Sequence, residues 1–221
     1  MQQARPTHPS SLQQAIAEVR RFLQRDSQIR TVIFRNAVFN LFIAFIPTLL
    51  PTFGLNVLKI SSGQPGVLFT ALGLGSIVAG VFPVPFLQKR LSANAITAVA
   101  CGLLILVFYL IGFVRQTPRF LAVAALAGSA WTLASTEIWA LGQRVTPDTA
   151  RGRISAALMM SGSGALALGG VTWASLAATA GLENAVHFAC IGLLLSRPFL
   201  SWWSPDTDPA RDQANGQAQQ P

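Results

Sequence analysis

The sequence predicts an all-α, polytopic membrane protein with six transmembrane helices, and three observations predict it. Hydrophobic residues make up 52% of the 221 and charged residues 11%, against roughly 25% charged in an ordinary soluble domain. The charges bracket long apolar runs, and a helix needs about 20 largely apolar residues to cross a bilayer. The net charge of +8 is concentrated on alternate connecting segments, as in proteins that orient themselves by their cytoplasmic cations. So little polar surface excludes a typical soluble enzyme. It also makes nucleic acid an unnecessary partner, since such binders spread cations over a polar face.

Residues 1–10 read as a polar tail. Ser10 or Ser11, with Gln13 or Gln14 three residues on, resembles a capping box that opens an amphipathic helix over 11–30. In it Leu12, Ile16, Val19 and Leu23 recur at helical spacing beside Phe22, while Arg20, Arg21 and Arg25 point elsewhere. Such a helix either lies on an anionic leaflet or packs on another part of the protein. The six-helix region spans 31–203. Charge-free runs lie between Arg35 and Lys59, Lys59 and Lys89, Arg90 and Arg115, and Arg153 and Glu183, while Arg119 to Arg144 encloses a single acid, Glu137. A sixth stretch, Ala185 to Trp203, is apolar but carries His187 and Arg197. Residues 204–221 are expected to form a disordered cytoplasmic tail. The first 35 residues lack the apolar core of a signal peptide.

With both termini cytoplasmic, 13 cations fall inside: Arg5, Arg20, Arg21, Arg25, Arg30, Arg35, Lys89, Arg90, Arg144, Arg151, Arg153, Arg197 and Arg211. Only Lys59, Arg115 and Arg119 fall outside, and this asymmetry sets the expected orientation. Cys101 and Cys190 both sit within spans and are expected to act as small packing residues rather than as a disulfide.

Candidate functional residues are the polar groups at membrane depth. In the first span Asn36, Asn40, Ala44, Pro47 and Pro51 fall on one helical face. An amide in hydrocarbon needs a partner or water, so that face lines a wet cavity or bonds neighbouring helices. Gly73, Gly75, Ser76 and Gly80 in the second span, and the glycines and serines from Ser161 to Gly170 in the fifth, permit close helix approach and read as packing surfaces. The fourth span holds the densest polar cluster, with Trp131, Thr132, Ser135, Thr136, Glu137, Trp139 and Gln143. Glu137 lies about 10 Å along the helix from Arg144. There it either couples a proton or a cationic substrate, or it is the structural partner of Arg151 or Arg153. His187 reads as structural.

These residues carry a resemblance. The segment from Ala127 to Gly170, with Ala-Gly-Ser-Ala-Trp-Thr-Leu-Ala at 127–134, Gln143, Pro147-Asp148 and Arg151-Gly152-Arg153, resembles the second half of a major facilitator superfamily exporter. The branch is that of the enterobactin exporter and the transmembrane secretion effectors. Phe34-Arg35 with Phe39-Asn40 is similar to that branch's seventh helix, and Leu87 to Ser92 to its loop between the eighth and ninth helices. The resemblance runs from about Leu12 to Trp203. It implies the C-terminal six-helix half of a twelve-helix fold, with substrate held between two pseudo-symmetric halves near the midplane. A chain that starts with Met where the family's central loop would run is expected to be a split gene, a truncated frame or a fragment. Two departures stand out: the loop after the second span keeps only Lys89 and Arg90 of the gating motif, without its Asp, and Glu137 falls where relatives carry an uncharged residue.

Ser161, Gly162, Ser163 and Gly164 followed by His187 lack the glycine spacings of an intramembrane serine protease. No paired His/Cys metal spacing and no nucleotide-binding glycine loop occurs, so neither enzyme activity nor a cofactor is expected. The expectation is half of a small-molecule efflux transporter in a bacterial-type inner membrane, driven by an ion gradient and inactive alone. Its partners are the bilayer, a small-molecule substrate such as a siderophore or drug-like compound, and a separate N-terminal half or a second copy. Asn36, Asn40, Trp131, Ser135 and Glu137 are expected to line the cavity. Lys89, Arg90, Asp148, Arg151 and Arg153 are expected to form the cytoplasmic gate. The rival expectation is a non-transporting remnant or a module that binds a partner's helices.

Overall fold

A computed structural model describes residues 26–56, 65–147 and 150–202. These form eight helices and no strand among the described residues. In chain order they are α1 (Ser27–Ile43), α2 (Phe45–Asn56), α3 (Pro65–Val81), α4 (Pro83–Arg90), α5 (Ala93–Phe113), α6 (Thr117–Val145), α7 (Arg151–Ala180) and α8 (Leu182–Trp202). Residues 1–25 and 203–221, with the expected polar tail, C-terminal tail and most of the interfacial helix, lie outside the described residues, as does Asp148.

Sequence-local rules account for the ends and breaks. Asp26 caps α1, its Oδ1 accepting from the backbone N–H groups of Gln28 and Ile29 at 2.9 and 3.3 Å, which satisfies two of the helix's orphan donors. Residues 27–30 thus begin the first span rather than close a separate interfacial helix. The break at Ala44 lies one turn before Pro47, whose ring crowds the carbonyl of Ile43 and whose missing N–H leaves that carbonyl without its helical partner. Pro83 and Pro85 have the same effect on the second apolar stretch, which bends by 41° between α3 and α4. Ser92 caps α5 through Ala95 N–H at 3.4 Å. Gly181, with φ +91°, takes the left-handed turn between α7 and α8 that L side chains avoid.

Four helical stretches are long and apolar enough to cross a membrane: Ser27–Asn56, Ala95–Phe113, Thr117–Val145 and Arg151–Ala180. The bent pair of Gly66–Val81 and Pro83–Arg90 makes a fifth. The described apolar part of α8, Leu182–Leu195, is shorter. Six apolar stretches are therefore present, of which four or five have the dimensions of a span.

The helices pack in a defined sense. Asn36 meets Ser161 and Leu41 meets Trp173, so α1 and α7 run parallel. Ser76 meets Gly128 and Gln88 meets Glu137, so α3–α4 and α6 run parallel. Ile105 approaches Cys190 while Arg115 reaches Glu183, so α5 and α8 run antiparallel. These directions follow if each of six stretches reverses the chain: the first and fifth agree, the second and fourth agree, and the third and sixth oppose. The core between them is apolar and aromatic, with Phe45 against Phe108 at 4.7 Å and against Trp173 at 5.8 Å between ring centroids. The outer faces of α3 and α7 leave Ile77, Val78, Met160 and Val171 more than half exposed, as expected of a surface that meets lipid or another bundle rather than water.

Candidate functional site

The sequence-predicted cavity residues fall into three groups. Asn36 and Asn40 form the first, between α1 and α7. Asn36, 7% exposed, donates through Nδ2 to the Leu158 carbonyl at 2.7 Å and to Ser161 Oγ at 3.1 Å. Asn40 Nδ2 donates back to the carbonyl and Oδ1 of Asn36 at 2.8 and 3.0 Å. A Cβ on Gly162 would stand 2.9 Å from Asn36 Nδ2, so the glycine is what lets both amides lie between the helices. Further along, the Trp173 indole donates to the Leu41 carbonyl at 2.8 Å, and Gly169 packs against the same carbonyl. Leu41 O faces the break at Ala44, where the helical ladder is interrupted.

The second group is Trp131 and Ser135 on α6. Four residues apart, they share one helical face and are both half-buried. Glu137 is the third group. It lies about 200° round the helix from Ser135 and faces α4 instead. Glu137 is 2% exposed, the most buried acid among the described residues, and its described polar contact is Gln88 Nε2, which donates to Oε2 at 3.5 Å. A hydrogen bond of that length is at the limit of the range and weak. Another acid, Glu183, pairs with Arg115 at the other end of the bundle.

The gate residues cluster by helix end. Lys89 and Arg90 occupy the last turn of α4, where cations favour the helix dipole, and the Arg90 guanidinium stacks 4.5 Å over the Phe86 ring. Arg151 and Arg153 sit in the first turn of α7, where the dipole disfavours a cation. Arg35, counted from sequence among the connecting cations, is buried within α1. Cys101 and Cys190 are both free thiols.

Sequence reasoning missed Gln88 as the partner of Glu137 and missed the crossing of α3 with α6. There a Cβ on Gly75 would overlap the Ala125 carbonyl, and one on Gly128 the Leu72 carbonyl. Ser76 Oγ donates to the Gly128 carbonyl at 3.1 Å and Ser129 Oγ to the Gly75 carbonyl at 3.0 Å. The available signal was the repeated Gly-Ser pair at 75–76 and 128–129.

The family model of the transmembrane secretion effectors matches residues 2–215, nearly the whole sequence. The chain belongs to this family. It is a branch of the major facilitator superfamily, so the apolar helices are membrane spans and the protein is a multi-pass membrane protein of a transport family. No curated protein and no solved structure matches the chain.

Proposed function

We propose that the chain is one six-helix half of a small-molecule exporter, driven by an ion gradient, and that it works only against a second six-helix bundle. The observation that carries the reading is Glu137. A carboxylate so fully enclosed at membrane depth is costly and is retained where it binds a proton or a cationic group. Its loose tie to Gln88 leaves it able to exchange partners as the helices move. Trp131 and Ser135 face a different side of α6 and supply an apolar wall with one hydroxyl, suited to a siderophore or a drug-like molecule. Asn40, half-buried beside the Asn36 that ties α1 to α7, completes the lining from α1 once the second bundle is present, and Lys89, Arg90, Asp148, Arg151 and Arg153 close it on the cytoplasmic side. The 13 to 3 cation split supports cytoplasmic termini in a bacterial-type inner membrane. The second bundle is a separate N-terminal half or another copy of this chain, because two pseudo-symmetric bundles are what enclose a midplane site in such transporters.

The test is Glu137→Gln in the assembled transporter, with export measured in vesicles under an imposed pH gradient. Glutamine keeps the shape and loses the titration. Gradient-driven export should be abolished while membrane abundance stays near that of the parent. Unchanged export and abundance would reject the coupling role, and lost abundance rescued by also removing Arg151 or Arg153 would assign Glu137 a structural role instead.

A further inference from the structure

A half-open cavity of about 340 Å³ lies where the end of α5 meets the start of α8, away from all the residues discussed above for transport. One wall is ionic. Arg115 Nη2 stands 3.1 Å from Glu183 Oε1, and Arg115 Nη1 donates to the Gly112 carbonyl. The two side chains remain 46% and 73% exposed, so each keeps bonding capacity that the pair does not use. His187 adds a third polar group. Its Nδ1 is 2.8 Å from the Glu183 carbonyl, which only accepts, so Nδ1 carries a proton and in the neutral ring Nε2 is the acceptor. The other wall is apolar: Tyr109 and Phe113 stack with centroids 4.5 Å apart, and Ile191 continues it from α8. Phe188 and Leu195, both more than half exposed, extend the apolar surface along α8. Charged groups at helix ends beside apolar helix flanks mark headgroup depth in a bilayer, with acyl chains alongside.

We propose that this cavity holds the headgroup of a zwitterionic phospholipid whose amine carries N–H donors, of the ethanolamine type. The phosphate lies on Arg115, the ammonium on the Glu183 carboxylate and His187 Nε2, and an acyl chain on the Phe113 and Ile191 side. Charge decides the class. Arg115 and Glu183 sum to zero, so an anionic lipid meets the carboxylate and a cationic amphiphile meets the guanidinium, whereas a dipolar headgroup satisfies both. Hydrogen bonding decides the amine. A primary ammonium offers three N–H donors to the two acceptors, and a choline offers none. Tyr109 and Phe113 lie 35° apart and cover each other rather than standing as opposed walls of an aromatic cage for a quaternary amine. This inference needs only that the chain lie in a bilayer, and it stands or falls apart from the exporter reading.

The experiment is native mass spectrometry of the full purified chain, offered equimolar phosphatidylethanolamine, phosphatidylcholine and phosphatidylglycerol of matched chain length. The parent should retain the ethanolamine lipid about tenfold over the choline lipid, the effect of one charge-assisted hydrogen bond. Mono- and dimethylated ethanolamine lipids should fall in between, in order of their remaining N–H groups. Glu183→Gln should bring the preference close to one and raise phosphatidylglycerol retention, Arg115→Gln should weaken all three lipids, and Arg119→Gln, a cation outside the cavity, should change nothing. Equal retention by the parent, no trend across the methylated series, or a preference that survives Glu183→Gln would overturn the proposal. The methylated series decides the matter even where a variant fails to fold. Displacement of the lipid by soluble phosphoethanolamine at equal concentration would also overturn it, since the site would then be one for a free phosphoamine.

Discussion

The bent pair α3–α4 meets α6 in two places, and the two contacts differ in kind. At Gly75 and Gly128 the backbones touch, no side chain separates them, and two serine hydroxyls each donate to the opposite glycine carbonyl. Beyond the 41° bend, α4 buries Val84 and reaches α6 through one long bond from Gln88 to Glu137. Without a hydrophobic drive between helices in lipid, close backbone contact and interhelical hydrogen bonds are what hold a pair together. The first contact has both and the second has little of either. One pair of helices is thus fixed at one end and loosely held at the other, and the loose end carries the buried acid and the Lys89–Arg90 cations.

The comparison is broken most severely at the tight end. Valine at Gly75 or Gly128 must push two backbones apart, and the expected loss is about 3 kcal/mol or more. Unfolding of the purified chain in detergent, followed by tryptophan fluorescence, measures it. A loss below about 1 kcal/mol would mean the crossing is not a fixed point.

The α1–α7 seam is the intermediate case. Alanine at Gly162 places a methyl against both amide nitrogens, Asn36 and Asn40 at 2.9 and 3.2 Å, and turns a satisfied amide pair into a strained one. The expected cost is about 1–2 kcal/mol. Asn36→Ala should relieve that strain, so the double change should cost less than the sum of the two single ones. Strict additivity would show that the amides and the glycine do not meet.

At the loose end, Gln88→Leu removes the described donor to Glu137 and little packing. Stability should change by less than about 1 kcal/mol. Gradient-driven transport by the assembled protein should change several-fold, because the acid's environment is altered directly. A large stability loss with unaltered transport would reverse the roles assigned to the two ends. Ser76→Ala is the smallest expected effect, about 0.6 kcal/mol, typical of one interhelical hydrogen bond in a membrane. Paired with Ser129→Ala, it tests by double-mutant cycle whether the reciprocal bonds act together.

The helical class and the positions of the apolar stretches were legible in the sequence because they rest on run length and charge placement, whereas the bend at Pro83 and Pro85 was not read there although it follows from the same missing N–H as at Pro47. Of the glycines read as packing surfaces, Gly75, Gly162 and Gly169 do lie against a neighbouring helix, whereas a Cβ on Gly73 or Gly164 would meet open space. Glu137 stood out as an acid in an apolar run, and its facing away from Trp131 and Ser135 follows from helical periodicity alone. What only the tertiary structure decided is which helices meet and in what register. That Asn36 donates to Leu158, that Glu137 meets Gln88, and that Arg115 meets Glu183 are contacts between residues 49 to 122 positions apart. Such pairings depend on the sum of many weak side-chain and backbone contacts between helices. Each helix forms from its own residues, but its neighbours are selected by fit, and fit belongs to two surfaces at once.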